Sequence, residues 1–190
     1  MSDRKRIGYA LCGSFCTLSR SLSVMSGLSG EFDIVPIISP AVRDTDTRFG
    51  RAEDFSEKIK KISRSEIITD IVSAEPLGPK EPLDALIIAP CTGNTLSKLS
   101  HGITDTAVTM AAKAHLRGDK PLLIALATND AMSQNLKSLA TLLMRKSVYF
   151  VPMLQDEPKR KPHSLVADFE RIPECLASAF KGVQQRPLFL

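Results

Sequence analysis

The chain has 190 residues, of which 43% are hydrophobic and 24% charged, and its net charge is +4. These values are typical of one globular domain with a substantial core, with or without a short tail. The basic clusters at residues 4–6 and 159–161 contain no aromatic residues, so we expect no nucleic-acid binding. No apolar run reaches the ~18 residues that cross a bilayer, and four scattered cysteines fit reduced thiols. We therefore expect a cytoplasmic protein without a membrane segment.

Short apolar runs alternate with helical patterns along the chain, and this alternation indicates a parallel sheet covered by helices. In chain order we predict a strand over 7–11, a helix over 15–28, a strand over 32–38, a loop over 41–50, a helix over 53–64, an ambiguous segment over 67–72, a strand over 85–89, a helix over 94–100, a helix capped by Thr104 or Asp105 and ending near 116, a strand over 121–126, a helix over 131–145, a strand over 148–151 and a helix over 165–181.

The sum is an α/β fold: a doubly wound, mostly parallel sheet with helices on both faces, flavodoxin-like or Rossmann-like in its three layers. A C-terminal helical arm follows the sheet. We assign residues 1–154 to the α/β domain and residues 155–190 to a loop and helix that pack on the same domain.

Three turns that follow predicted strands are rich in small and hydroxyl-bearing residues, and Ser39 ends a further strand. Because the carboxyl ends of parallel strands share one edge of the sheet, these turns can contact one ligand. Each could also be an ordinary helix cap. No GxGxxG or GxxxxGK[ST] motif is present, so a mononucleotide with one phosphate, such as a flavin, fits better than a dinucleotide or triphosphate. The candidate site residues are Gly13, Ser14, Ser39, Pro90, Cys91, Thr92, Gly93, Asn94, Thr95, Thr128, Asn129 and Met132.

These turns resemble the motifs of the flavoprotein family, which includes flavin-containing cysteine decarboxylases and flavin prenyltransferases. The resemblance is carried by Gly13-Ser14, by residues 90–95 and by Asn129 with Met132. It implies an FMN cofactor held by the candidate residues, with Asn129 and Met132 also contacting substrate.

Within that family the chain more specifically resembles the B subunits of bacterial dipicolinate synthases, through residues 74–80, 89–95, 102–117 and 161–168. This resemblance implies a part in oxidising dihydrodipicolinate, a small dicarboxylate, in the cytoplasm of a sporulating cell. It further implies a homo-oligomer that works with the A subunit of the dipicolinate synthase, a separate chain expected to hold NAD(P).

The chain departs from the decarboxylases because its three histidines are His101, His115 and His163, all after the strand over 85–89. The histidine that those enzymes use precedes this strand, so their mechanism is disfavoured. A stand-alone flavin-dependent decarboxylase or prenyltransferase stays an alternative, as does a non-catalytic partner of the NAD(P)-binding chain.

The sequence leaves the catalytic base unknown, and no metal site is expected. Lys98 and Lys113 are candidate counter-charges for the carboxylates, although each also fits a solvated helix face. Cys91 is expected to have a lowered thiol pKa because it lies at a helix N-terminus.

Overall fold

The computed structural model describes residues 4–190, so residues 1–3 of the predicted N-terminal domain lie outside the described part. Seven strands form one sheet in the order β2-β1-β3-β4-β7-β6, with β5 paired to β4. The strands are β1 Arg6–Leu11, β2 Asp33–Ile38, β3 Ala85–Cys91, β4 Leu122–Thr128, β5 Val148–Phe150, β6 Met153–Leu154 and β7 Leu165–Ala167. The helices are α1 Phe15–Leu28, α2 Pro40–Asp44, α3 Ala52–Ser63, α4 Ile71–Ala74, α5 Gly93–Ser100, α6 Ala107–Leu116, α7 Leu136–Leu143 and α8 Ile172–Phe180.

The central strands are buried on both faces, which is why their sequences are apolar at nearly every position. Along β3, Ala85, Ile87 and Ala89 belong to the hydrophobic cluster on one face of the sheet. Leu86 and Ile88 belong to the cluster on the other face. The predicted three-layer α/β fold is therefore confirmed. Strands β1 to β5 pair in parallel, and β6 and β7 add antiparallel pairs.

The segment after β2 contains more structure than the predicted loop. Helix α2 begins at Pro40, directly after Ser39, where proline suits the first helical position. The ambiguous segment resolves into a single parallel bridge from Ile68 to Ile37, followed by α4. Asp70 caps α4 by accepting hydrogen bonds from the backbone N–H groups of Val72 and Ser73 at 2.9 Å.

Two predicted helix starts are wrong. Helix α6 is capped by Thr106, which exchanges side-chain and backbone hydrogen bonds with Thr109, and not by Thr104 or Asp105. Helix α7 begins at Leu136 and not at residue 131. The Asp130 carbonyl accepts from the N–H groups of Ser133 and Asn135 at 3.1 Å, and these turns delay the helix.

The predicted helix over 165–181 is also wrong in its first part. Leu165 and Ala167 are buried while Val166 is half-buried, which is the alternation of a strand. Strand β7 pairs antiparallel with the end of β4, Val166 opposite Ala127 and Leu165 opposite Thr128. The helix, α8, begins only at Ile172. The C-terminal segment therefore extends the sheet as well as packing on it.

Candidate functional site

The turns after β1, β3 and β4 meet in one cavity of about 320 Å³ at the carboxyl edge of the sheet. Its lining includes Gly13 and Ser14 from the first turn, Thr92 from the second, and Thr128 and Asn129 from the third. Five predicted site residues from separate parts of the chain thus share one space, as the doubly wound topology requires. A larger groove of about 910 Å³ lies at the opposite edge and includes none of the predicted residues.

The turn after β1 leaves hydroxyl groups available to a ligand. Ser14 precedes α1, but its side chain makes no capping hydrogen bond to the helix. Ser39 is only 8% exposed, and its Oγ has no hydrogen-bond partner within residues 4–190. The Ser39 N–H donates to the Leu11 carbonyl at 3.0 Å, which fixes Ser39 beside the end of β1. A buried hydroxyl without a partner costs about 1–3 kcal/mol. Ser39 is not among the residues that line the cavity.

The turn after β3 is held by Thr92, which caps the following helix in place of Asn94 or Thr95. The Thr92 Oγ1 accepts from the Thr95 backbone N–H at 3.3 Å and caps α5. Pro90 lies within β3, and its carbonyl accepts from the Cys12 N–H at 3.1 Å, which joins this turn to the first. Asn94 is exposed and is not among the residues that line the cavity.

The turn after β4 contains a polar network that packs against the start of α5. Thr128 Oγ1 donates to Asp130 Oδ1 at 2.5 Å, and Asn135 Nδ2 donates to Asp130 Oδ2 at 2.9 Å. A Cβ added at Gly93 would lie 2.6 Å from Thr128 Oγ1, 2.6 Å from Asn135 Nδ2 and 2.7 Å from Asp130 Oδ1. Gly93 is therefore required by the close approach of this network. Asp130 does not cap α7, while Asn129 is exposed at the cavity.

The predicted lowering of the Cys91 pKa is wrong. Cys91 is completely buried, and burial raises its thiol pKa well above the ordinary value, with the neighbouring Cys12 raising it further. Burial likewise raises the pKa of Cys12 to about 11, although the hydrogen bond from Thr95 Oγ1 opposes the shift. Desolvation outweighs the helix N-terminus here. Both thiols are core groups, whereas Cys16 is exposed and lines the cavity.

The candidate counter-charges lie elsewhere. Lys98 pairs with Asp105 at 2.7 Å, Lys113 is exposed on α6, and neither lines the cavity. The sequence reasoning missed Asp156 and Lys161, which do line it and pair with each other at 2.8 Å. They lie in the segment between β6 and β7, which had only the appearance of a charged loop. The sequence feature that could have indicated them is the presence of opposite charges just before and at the start of residues 161–168, a segment that resembles the B subunits of dipicolinate synthases.

Met132 supports this segment from outside the cavity lining. Its N–H donates to the His163 carbonyl at 3.0 Å. The other histidines have structural partners: His101 Nδ1 lies 2.8 Å from the Ser97 carbonyl, and His115 Nε2 lies 2.9 Å from the Pro121 carbonyl. None of the three histidines lines the cavity.

The fold and the cavity define an α/β protein of the flavoprotein class. The chain belongs to the Flavoprotein family, whose model matches residues 1–175. It is 40% identical over 187 residues to the B subunit of dipicolinate synthase from Bacillus subtilis, covering 98% of this chain and 94% of that protein.

Solved structures agree with this placement. The crystal structure of the B subunit of dipicolinate synthase from Bacillus halodurans C has a TM-score of 0.90 and 41% identity, covering 98% of this chain and 96% of that chain. The FMN-dependent cysteine decarboxylase SpaF has a TM-score of 0.69 and 22% identity, covering 93% of this chain and 95% of its own, and shows the shared fold. These relatives are enzymes or components of enzymes. Within residues 4–190, no helix is long and apolar enough to span a membrane.

Proposed function

We propose that the chain works as the B subunit of a dipicolinate synthase and takes part in oxidising dihydrodipicolinate to dipicolinate. The observation that carries this proposal is the 40% identity to such a protein over 98% of the chain, together with one cavity where three strand-end turns meet. The proposed setting is the cytoplasm of a sporulating cell. The proposed partners are the A subunit of the synthase, expected to hold NAD(P), and further copies of this chain.

We propose FMN as the cofactor because the residues present fit it. The unpaired Ser39 hydroxyl, the uncapped Ser14 hydroxyl and the first N–H groups of α1 suit a phosphate. Gly13 lets the turn pack closely against α2, since a Cβ there would lie 2.9 Å from the Ala41 Cβ. When bound, a flavin supplies a two-electron acceptor. Pro90, Cys91, Gly93 and Thr95 would contribute by shaping the wall of the cavity from behind its lining.

The residues of the chain would act mainly by positioning. Conversion of a dihydropyridine dicarboxylate to the pyridine removes one hydride and one proton, and the gain of aromaticity favours the step. Orientation of the ring therefore matters more than strong acid–base assistance. The side-chain amide of Asn129 provides a neutral hydrogen-bond donor for a carboxylate at the cavity, whereas the hydroxyl protons of Thr92 and Thr128 are already donated to Thr95 and Asp130.

Reconstitution tests the proposal directly. The two chains of the synthase would be assayed for dipicolinate formation alone and together, with and without FMN. We expect activity only with both chains, and we expect this chain, once purified, to take up FMN. A colourless chain that takes up no FMN would contradict the cofactor, and activity of the NAD(P)-binding chain alone would identify this chain as a non-catalytic partner.

Substitutions at the site provide the second test. We expect Asn129→Ala to lower synthase activity while the protein stays folded, because Asn129 lines the cavity. Gln134→Ala is the matched control, because Gln134 is an exposed amide near the same turn that does not line the cavity. Unchanged dipicolinate formation in the Asn129→Ala variant would remove the proposed site.

A further inference from the structure

The segment over residues 155–163, which we name the C-terminal loop, is fixed against the cavity by hydrogen bonds. Gln155 Nε2 donates to the Pro162 carbonyl at 2.9 Å and closes the loop on itself. The Lys161 N–H donates to the Glu157 carbonyl at 2.7 Å, and the Met132 N–H donates to the His163 carbonyl at 3.0 Å. The loop is thus attached to the turn that contains Asn129.

This loop places a cation at the cavity, and the rest of the lining, all of it within residues 4–190, contains none. Apart from Asp156 and Lys161, the lining consists of glycine, hydroxyl, thiol, amide and apolar side chains. Lys161 Nζ lies 2.8 Å from Asp156 Oδ2 and 3.7 Å from Glu157 Oε1. The hydrogen bond to Asp156 raises the Lys161 pKa, so the ammonium group stays charged at neutral pH.

The Asp156–Lys161 pair can exchange partners at little cost. Their side chains are 32% and 37% exposed, and ion pairs with this degree of exposure stabilise a protein only slightly. The contact between Asp156 and Lys161 also shows that the cavity has room for a carboxylate beside the Lys161 ammonium group. An incoming carboxylate can therefore take the place of Asp156 without leaving Lys161 unpaired.

We propose that Lys161 is the residue that selects a dicarboxylate, binding one carboxylate of the substrate in exchange for Asp156. The second carboxylate is then left to the neutral side-chain amide of Asn129, which also lines the cavity. This inference rests on the proposed function, because it names the residue that recognises the substrate of that same site. An FMN phosphate offers the same anionic oxygens, and separate titrations with dicarboxylate and with FMN distinguish the two.

The experiment measures binding of pyridine-2,6-dicarboxylate and of pyridine-2-carboxylate to the full-length chain by isothermal titration calorimetry. We expect Lys161→Met to weaken dicarboxylate binding by about tenfold or more, the usual effect of losing a charge-assisted hydrogen bond. Lys161→Arg should retain most of the affinity, and the monocarboxylate should respond less. Lys159→Met is the matched control, because Lys159 belongs to the same loop but not to the cavity lining.

Asp156→Asn distinguishes recognition from a purely structural role. If Asp156 competes for Lys161, its removal should strengthen dicarboxylate binding several-fold. If the pair only holds the loop in place, Asp156→Asn and Lys161→Met should weaken binding together, and that result would overturn the proposal. Far-UV circular dichroism of each variant checks that the fold is kept.

FMN titrations of the same variants show whether Lys161 binds the substrate carboxylate or the FMN phosphate. We expect FMN affinity to be unchanged in Lys161→Met. Weaker FMN binding with unchanged dicarboxylate binding would assign Lys161 to the phosphate and overturn the proposal. If the reconstituted synthase is equally active with and without Lys161→Met, this inference alone is overturned. If reconstitution fails but dicarboxylate binding still depends on Lys161, the proposed function alone is contradicted.

Discussion

Gly93→Ala tests whether the polar network after β4 closes the wall of the cavity. The new methyl carbon would lie 2.6 Å from Thr128 Oγ1 and Asn135 Nδ2 and 2.7 Å from Asp130 Oδ1. Ordinary contacts begin near 3.4 Å, so all three atoms must move by several tenths of an ångström. They hydrogen-bond with one another, and Asn135 is only 6% exposed, so there is little room for this movement.

The expected loss of stability in Gly93→Ala is the sum of three contributions. Overpacking by a methyl group costs about 1–3 kcal/mol, and a broken hydrogen bond adds about 1 kcal/mol. The helix preference of alanine over glycine returns at most about 1 kcal/mol. We therefore expect the free energy of unfolding, measured by urea denaturation, to fall by about 2 kcal/mol. FMN binding should weaken as well, because Thr128 lines the cavity.

Gly27→Ala is the control with the opposite sign. Gly27 lies in the last turn of α1, and a Cβ there would meet no atom within 4 Å. Alanine should raise the free energy of unfolding by about 0.5 kcal/mol through its helix preference. If Gly93→Ala is as stable as the parent chain and binds FMN equally well, the inference that the network requires glycine is refuted.

Three further predictions concern buried polar groups. Ser39→Ala should weaken FMN binding roughly tenfold without lowering stability in the absence of FMN, because it removes an unpaired hydroxyl; equal loss of stability with and without FMN would contradict this. Iodoacetamide at pH 8 should label exposed Cys16 in the native protein and spare Cys12 and Cys91, whose pKa values are raised by burial, as mass spectrometry can check. Burial lowers the pKa of His115 in the folded state from its ordinary value of 6.5. Below pH 6.5 the unfolded chain therefore binds more protons than the folded chain. The free energy of unfolding should fall as the pH drops from 7 towards the lowered pKa. His115→Gln should flatten this pH dependence, and an unchanged slope would contradict the assignment.

The sequence predicted the parts of the fold that depend on local patterns. Strands β3 and β4 are apolar almost throughout, and α1 buries Leu18, Leu22 and Met25 on one face, as their spacing indicates. The meeting of the three turns followed from topology alone. The division at residue 154 stays a prediction, although β7 joins the same sheet as β4.

The errors arise where distant contacts decide the structure. Residues 165–167 have helical neighbours in the sequence, yet they form a strand because the end of β4 offers an open edge. Cys91 precedes a helix cap, yet the core that surrounds it raises its pKa. Lys161 could not be placed at the cavity without the hydrogen bond from Met132 to His163, which connects residues 31 positions apart.

The cavity combines fixed walls with one wall that can change partners. The Cys12 N–H donates to the Pro90 carbonyl, and Gly93 fits against the Thr128–Asp130 network, so the three turns are locked to the sheet. The C-terminal loop contributes an exposed ion pair to the same cavity. Because the turns carry the motifs shared with other flavoproteins, cofactor binding should depend on them. Substrate choice should then depend on the loop, and exchanging the charges of that loop should alter dicarboxylate affinity while FMN affinity stays constant.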